Sequence, residues 1–176
     1  VTATSNIDIA DNIDLSTSLF GPTFGLLNLS APTVNVNFNI KLNSAPAAVA
    51  FPSVTTVNLT GQINNASGMV PSSQLLNTGT ITQVNVLGNT ASVQQAVDLS
   101  SSTTPTTISV ATGQNNEVVS IGKSLTMTTA NVGGQTNNGT VKITSSSATV
   151  ALTGAGYSNA YGATMAGIGT FNVSGL

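Results

Sequence analysis

The stretch "TVNVNFNIKLN", residues 33–43, alternates without a fault. Val34, Val36, Phe38, Ile40 and Leu42 fall on one parity, and Asn35, Asn37, Asn39, Lys41 and Asn43 on the other. A period of two is the signature of an extended strand with one face in a core and one in water. Weaker copies follow: Val57, Leu59 and Ile63 around Gly61, a candidate bulge; Val84 and Val86; Ile108 and Val110; Val119, Ile121, Leu125 and Met127; Val141 and Ile143; Ala148, Val150 and Leu152; Phe171 and Val173. Turn-forming clusters such as "FGPT", "LSAPT" and "NVGGQTNNGT" separate them, and "NNG" before a strand pattern signals a hairpin. Only "PSSQLLN" and "SVQQAVDL" carry a helical hint. The expectation is an all-β domain, an antiparallel immunoglobulin-like β-sandwich of about 8–10 short strands. No fixed repeat length emerges, which argues against a solenoid or propeller.

The opening residues obey the same parity. Val1, Ala3, Ile7, Ile9, Ile13 and Leu15 occupy odd positions, while Asp8 and Asp14 occupy even ones. Asp8, Asp11 and Asp14 are three of the five acidic residues in the chain. Asp11 alone falls on the apolar parity, where a lone carboxylate is costly, so a bend at Ala10–Asp11 is needed to turn it outward. The three acids do not fit the spacing or glycine of a calcium loop, and the expectation is a solvated strand face with no metal.

Charge excludes much else. Only 5% of the 176 residues are charged, with three lysines, no histidine and a net charge of −2. Nucleic-acid binding needs a basic footprint that three lysines cannot build. No apolar run approaches the roughly 18 residues of a membrane helix. Without cysteine or histidine, disulfides, thiolate or imidazole metal sites and Ser-His-Asp or Cys-His catalysis are all impossible. Gly122-Lys123-Ser124 mimics the tail of a phosphate-binding loop, but Glu117 stands where the leading glycine belongs. Asp98 and Glu117 are isolated in sequence. The expectation is therefore no enzyme and no cofactor. Tyr157 and Tyr161 in "GYSNAYGA" are the one candidate sugar-stacking pair. Sequons at Asn28, Asn58, Asn65, Asn138 and Asn172 are no more numerous than so much Asn, Ser and Thr gives by chance. A start at "VTATSN" is what an exported chain shows after loss of a signal peptide, so an extracellular or cell-surface location is expected.

An alternating arm of Val1, Ala3, Ile7 and Ile9 before a β-domain, with the closing segment "GTFNVSGL", resembles donor-strand-exchange pilins. These are the chaperone–usher fimbrial subunits and the similar thread subunits of archaeal surfaces. The disulfide of many fimbrial subunits is missing. The resemblance implies an N-terminal arm, residues 1–15, inserting into the sandwich, residues 16–176, of the next subunit. Val1, Ala3, Ile7, Ile9, Ile13 and Leu15 would then form the polymerisation interface. It further implies a structural filament subunit whose partners are copies of itself and an export or assembly chaperone. The same alternation fits an arm that folds back into its own domain as the first strand. The other competing expectations are a surface adhesin, a carbohydrate-binding module, or an S-layer or capsid-type protein.

Overall fold

The computed structural model describes residues 1–15, 26–42, 47–65, 68–77, 79–88, 90–111, 113–115, 117–129, 135–137, 140–153, 158–159 and 164–174. The chain is all-β, but it is a β-solenoid of stacked coils rather than an antiparallel sandwich. Its long sheet has eight strands: Asn6–Ile9, Thr33–Val36, Thr56–Leu59, Gln83–Val86, Thr107–Val110, Leu125–Thr129, Thr149–Thr153 and Thr170–Ser174. They stack in sequence order, every neighbour parallel. Among the described residues, one antiparallel pair occurs, Ile63–Asn65 with Gly68–Met69.

Each coil leaves the long sheet, turns a corner and adds strands to flanking sheets. In the first three coils these are Ile13–Asp14, Ile40–Lys41 and Ile63–Asn65, then Leu26–Asn28, Ala48–Phe51 and Leu75–Asn77. In later coils they are Gly113–Asn115, Gln135–Asn137 and Ser158–Asn159, then Val118–Ile121, Thr140–Ile143 and Thr164–Gly167. The fourth coil carries a helix instead, Val93–Leu99. No hairpin forms at "NNG": the strands on either side of it belong to different sheets, and Asn138 and Gly139 lie outside the described residues.

Two expectations are overturned, each for its own reason. Alternation tells which side chains enter a core, but a strand packed in a sandwich and one stacked in a solenoid alternate alike. The missing repeat is hidden by unequal loops. Asp8, Asn35, Asn58 and Asn85 stand in one column of the long sheet, at successive separations of 27, 23 and 27 residues. The unbroken strand expected over 33–43 is instead two strands and a corner. Val34, Val36, Ile40 and Leu42 are buried, whereas Phe38 sits on the corner and is 45% exposed.

The core is a column of aliphatic side chains running the length of the stack. Val34, Val57, Val84 and Ile108 lie in register one above the other, all fully buried. Each such side chain contributes about 1.5–3 kcal/mol on burial. Corners are held by asparagine. Asn12 Oδ1 accepts from the Asn39 amide at 3.0 Å, and Asn39 Oδ1 accepts from the Gln62 amide at 3.0 Å. Gly61 is required beside them, because a Cβ there would collide with the backbone of Phe38 in the coil beneath.

Candidate functional site

The helix fills a place where the stack changes its cross-section. Ser92 caps it by accepting from the Gln95 amide at 3.1 Å. Glu117, from the next coil, closes the same end. Its carboxylate accepts from Ser92 Oγ (2.7 Å), the Val93 amide (2.8 Å) and the Gln94 amide (3.1 Å). A carboxylate at the helix start satisfies orphan amides and complements the helix dipole.

Two adjacent glutamines then do what strands do. Gln95 is fully buried; its Oε1 accepts from Ile63 N–H at 2.9 Å and its Nε2 donates to Ile63 C=O at 2.7 Å. One side-chain amide thus pairs with the Ile63 peptide as a strand would, at the start of the strand that Gly68–Met69 pairs further along. Gln94 does the same for the coil above, accepting from Ser120 N–H at 2.6 Å and donating to Ser120 C=O at 3.3 Å. Asn77 Nδ2 donates to Leu99 C=O at 2.5 Å, closing a backbone carbonyl at the helix end. Sequence reasoning isolates Asp98 and Glu117, but the structure partners both. Gln94 Nε2 donates to Asp98 at 2.9 Å, and Glu117 holds the helix.

The long sheet passes this junction without a break, and its outward face is one polar array. By register, one rank reads Asn6, Thr33, Thr56, Gln83, Thr107, Thr126, Ala151 and Asn172. The next reads Asp8, Asn35, Asn58, Asn85, Ser109, Thr128 and Thr153. The second rank is wired together. Asn35 Nδ2 donates to Asp8, Asn58 Nδ2 to Asn35 at 2.6 Å, and Asn85 Nδ2 to Asn58 at 2.6 Å. Gln83 Nε2 ties the two ranks by donating to Asn85 at 2.7 Å.

The residues singled out for donor-strand exchange form the first coil. Ile7 and Ile9 are buried in the chain's own core, Ala3, Ile13 and Leu15 pack partly against it, and Val1 is 70% exposed. Asn6–Ile9 pairs in parallel with Thr33–Val36 of the same chain. The acids of this coil all face water. Asp8 also accepts from Asn6 at 2.8 Å, Asp11 from the Asn12 amide at 2.7 Å, and Asp14 meets Lys41 at 3.6 Å. Asp11 is turned outward by the corner between Ile9 and Ile13. No group of three potential metal ligands occurs among the described residues.

Gly122, Lys123 and Ser124 form a corner, not a phosphate cradle. Lys123 Nζ donates to Ser100 C=O at 2.6 Å, and Ser124 Oγ accepts from the Thr149 amide at 2.9 Å. An open groove of about 570 Å³ runs beside them, lined by Ser101, Thr103, Lys123, Ser124 and Thr126. Burial pushes the Lys123 ammonium below its ordinary 10.5, against a smaller upward pull from Asp98. Burial likewise pushes Asp98 above 3.8, only partly offset by its Gln94 hydrogen bond and by Lys123. Tyr157 and Tyr161 lie outside the described residues. No helix among the described residues is long and apolar enough to cross a membrane. No protein family, no characterised protein and no solved structure matches the chain.

Proposed function

We propose that the chain is a structural subunit of an extracellular filament and that copies join head to tail by extending the long sheet. The observation that carries this reading is the ladder itself. Among the described residues it runs to two outer strands, Asn6–Ile9 and Thr170–Ser174, each paired on one side only. An exposed edge of unpaired amides and carbonyls is a template for another strand. Continuing the register sets Asn172 of one copy opposite Asn6 of the next, and Ser174 opposite Asp8. The contact is heterologous and does not close, so it generates a fibre. The N-terminal segment still joins subunits in this reading, but it extends a sheet instead of filling a groove in a sandwich. The low charge supports the same reading, because stacked copies repel one another little.

Backbone parity supplies the test. Ala3 N–H donates to Ser30 C=O at 2.9 Å and Thr33 N–H to Ser5 C=O at 3.3 Å. Odd-numbered groups of the first coil therefore face the second coil, and the Asn6 N–H faces away. Asn6→Pro removes an outer donor without touching the internal ladder. Wild type is expected to form fibres by negative-stain microscopy, and Asn6→Pro to stay monomeric with an unchanged melting temperature. A wild-type chain that sediments as a monomer at every concentration refutes the proposal.

A further inference from the structure

The geometry points to the outward face of the long sheet as an ice-binding surface. This goes beyond the filament reading and stands independently of it. Eight strands at about 4.7–4.9 Å make a face roughly 33–34 Å long. Along each strand, outward side chains recur at about 6.6 Å. The result is a two-dimensional grid of hydroxyls and amides at two fixed spacings, a regular polar array able to hold an ordered water layer. A parallel sheet stacked in register and laced by side-chain ladders is also the kind that stays flat.

Three features favour frozen water over other occupants. First, the face is neutral: apart from Asp8 on the outermost strand, its ranks hold only Thr, Asn, Gln, Ser and Ala151. A charged group could not shed its hydration into a neutral lattice without a large cost. Second, the face is preordered. The Asn35–Asn58–Asn85 ladder and the Gln83–Asn85 bond fix the amides, and β-branched Thr33, Thr56, Thr107 and Thr126 are stiff about χ1. Many weak contacts then add without each losing rotamer entropy. Third, none of the residues named in these ranks is aromatic, so the stacking platform that a crystalline polysaccharide would use is missing.

Folded full chain is cooled with a seed crystal while thermal hysteresis and crystal shape are recorded, and its partition into a growing ice front is measured. Wild type is expected to give hysteresis, faceted crystals and enrichment in the ice. Thr107→Tyr places a ring in the middle of the grid and should lose all three with its melting temperature unchanged. Ser120→Tyr, on a flanking sheet, should keep them. Exclusion of folded wild type from ice overturns the inference, as does a Thr107→Tyr chain that behaves like wild type. Adsorption to chitin or cellulose without adsorption to ice overturns it too.

Discussion

Replacing Gln95 by Met tests whether a side-chain amide truly stands in for a strand. Methionine has nearly the same length and adapts to irregular cavities, so packing changes little. What is lost is the pair of hydrogen bonds to Ile63, at 2.9 and 2.7 Å. Ile63 and Gln95 are both fully buried, so water cannot take their place. Ile63 C=O still accepts from the Val70 N–H at 3.2 Å, so the loss orphans one buried group, the Ile63 N–H, at a cost of about 1–3 kcal/mol. With a urea slope of roughly 2 kcal/mol per molar, the unfolding midpoint should fall by about 0.5–1.5 M at unchanged slope. Gln94→Met is the matched control. It breaks the equivalent pair on Ser120, but Ser120 is exposed and Gln94 half-exposed, so solvent repairs the loss. Its cost should stay below about 1 kcal/mol. If Gln95→Met unfolds within about 0.5 kcal/mol of wild type, the scatter of an ordinary surface change, the strand-mimic account is wrong. Equal losses in the two variants would refute it as well.

Gly61→Ala should destabilise by about 1–3 kcal/mol in the same urea experiment, because its Cβ can fit only by pushing the neighbouring coil away; a neutral result would mean the corner is loose. Asp98 yields a pH signature. A raised carboxyl pKa means the folded state holds its proton longer, so its contribution is complete below 3.8 and is lost as pH rises through the raised value. Wild type should therefore lose melting temperature relative to Asp98→Asn across that window, and a relative gain would contradict the burial argument. Lys123 behaves in the mirror sense: its cost is lifted as pH rises from its lowered value to 10.5.

Much of the core was legible in parity alone. Ile7, Ile9, Val57, Leu59, Ile63, Val84, Ile108, Val141 and Val150 are all buried as alternation demands. Asp11 turned outward at a bend for the reason its sequence position requires. Strand direction was not legible, because alternation is blind to the partner's orientation. The signal that could have found the solenoid was the recurrence of T-V-N-V at 33–36 and T-V-N-L at 56–59, then Q-V-N-V at 83–86. It was obscured because Leu125–Thr129 and Thr149–Thr153 keep the outward hydroxyls and lose the asparagine. Phe38 misled for a local reason: parity continues through a corner, but the chain direction does not. The two glutamines were invisible, since a glutamine that pairs with a peptide reads like one that meets water.

The position of the helix explains why the polar face is the one to watch. Gln95 pairs with Ile63 in one flanking sheet of the first three coils, and Gln94 with Ser120 in one flanking sheet of the later coils. A helix of about two turns thus lets the solenoid exchange its sides while Ile63 and Ser120 find amide partners. The long sheet takes no part in that exchange: Gln83–Val86 pairs with Thr56–Leu59 below and Thr107–Val110 above in one register. Had the helix replaced a strand there, the asparagine ladder would have stopped at Asn58. Interruption is tolerated on the sides and absent from the face whose outward residues form a grid. That grid spans both halves of the molecule, and its regularity is retained at the junction where regularity is otherwise given up.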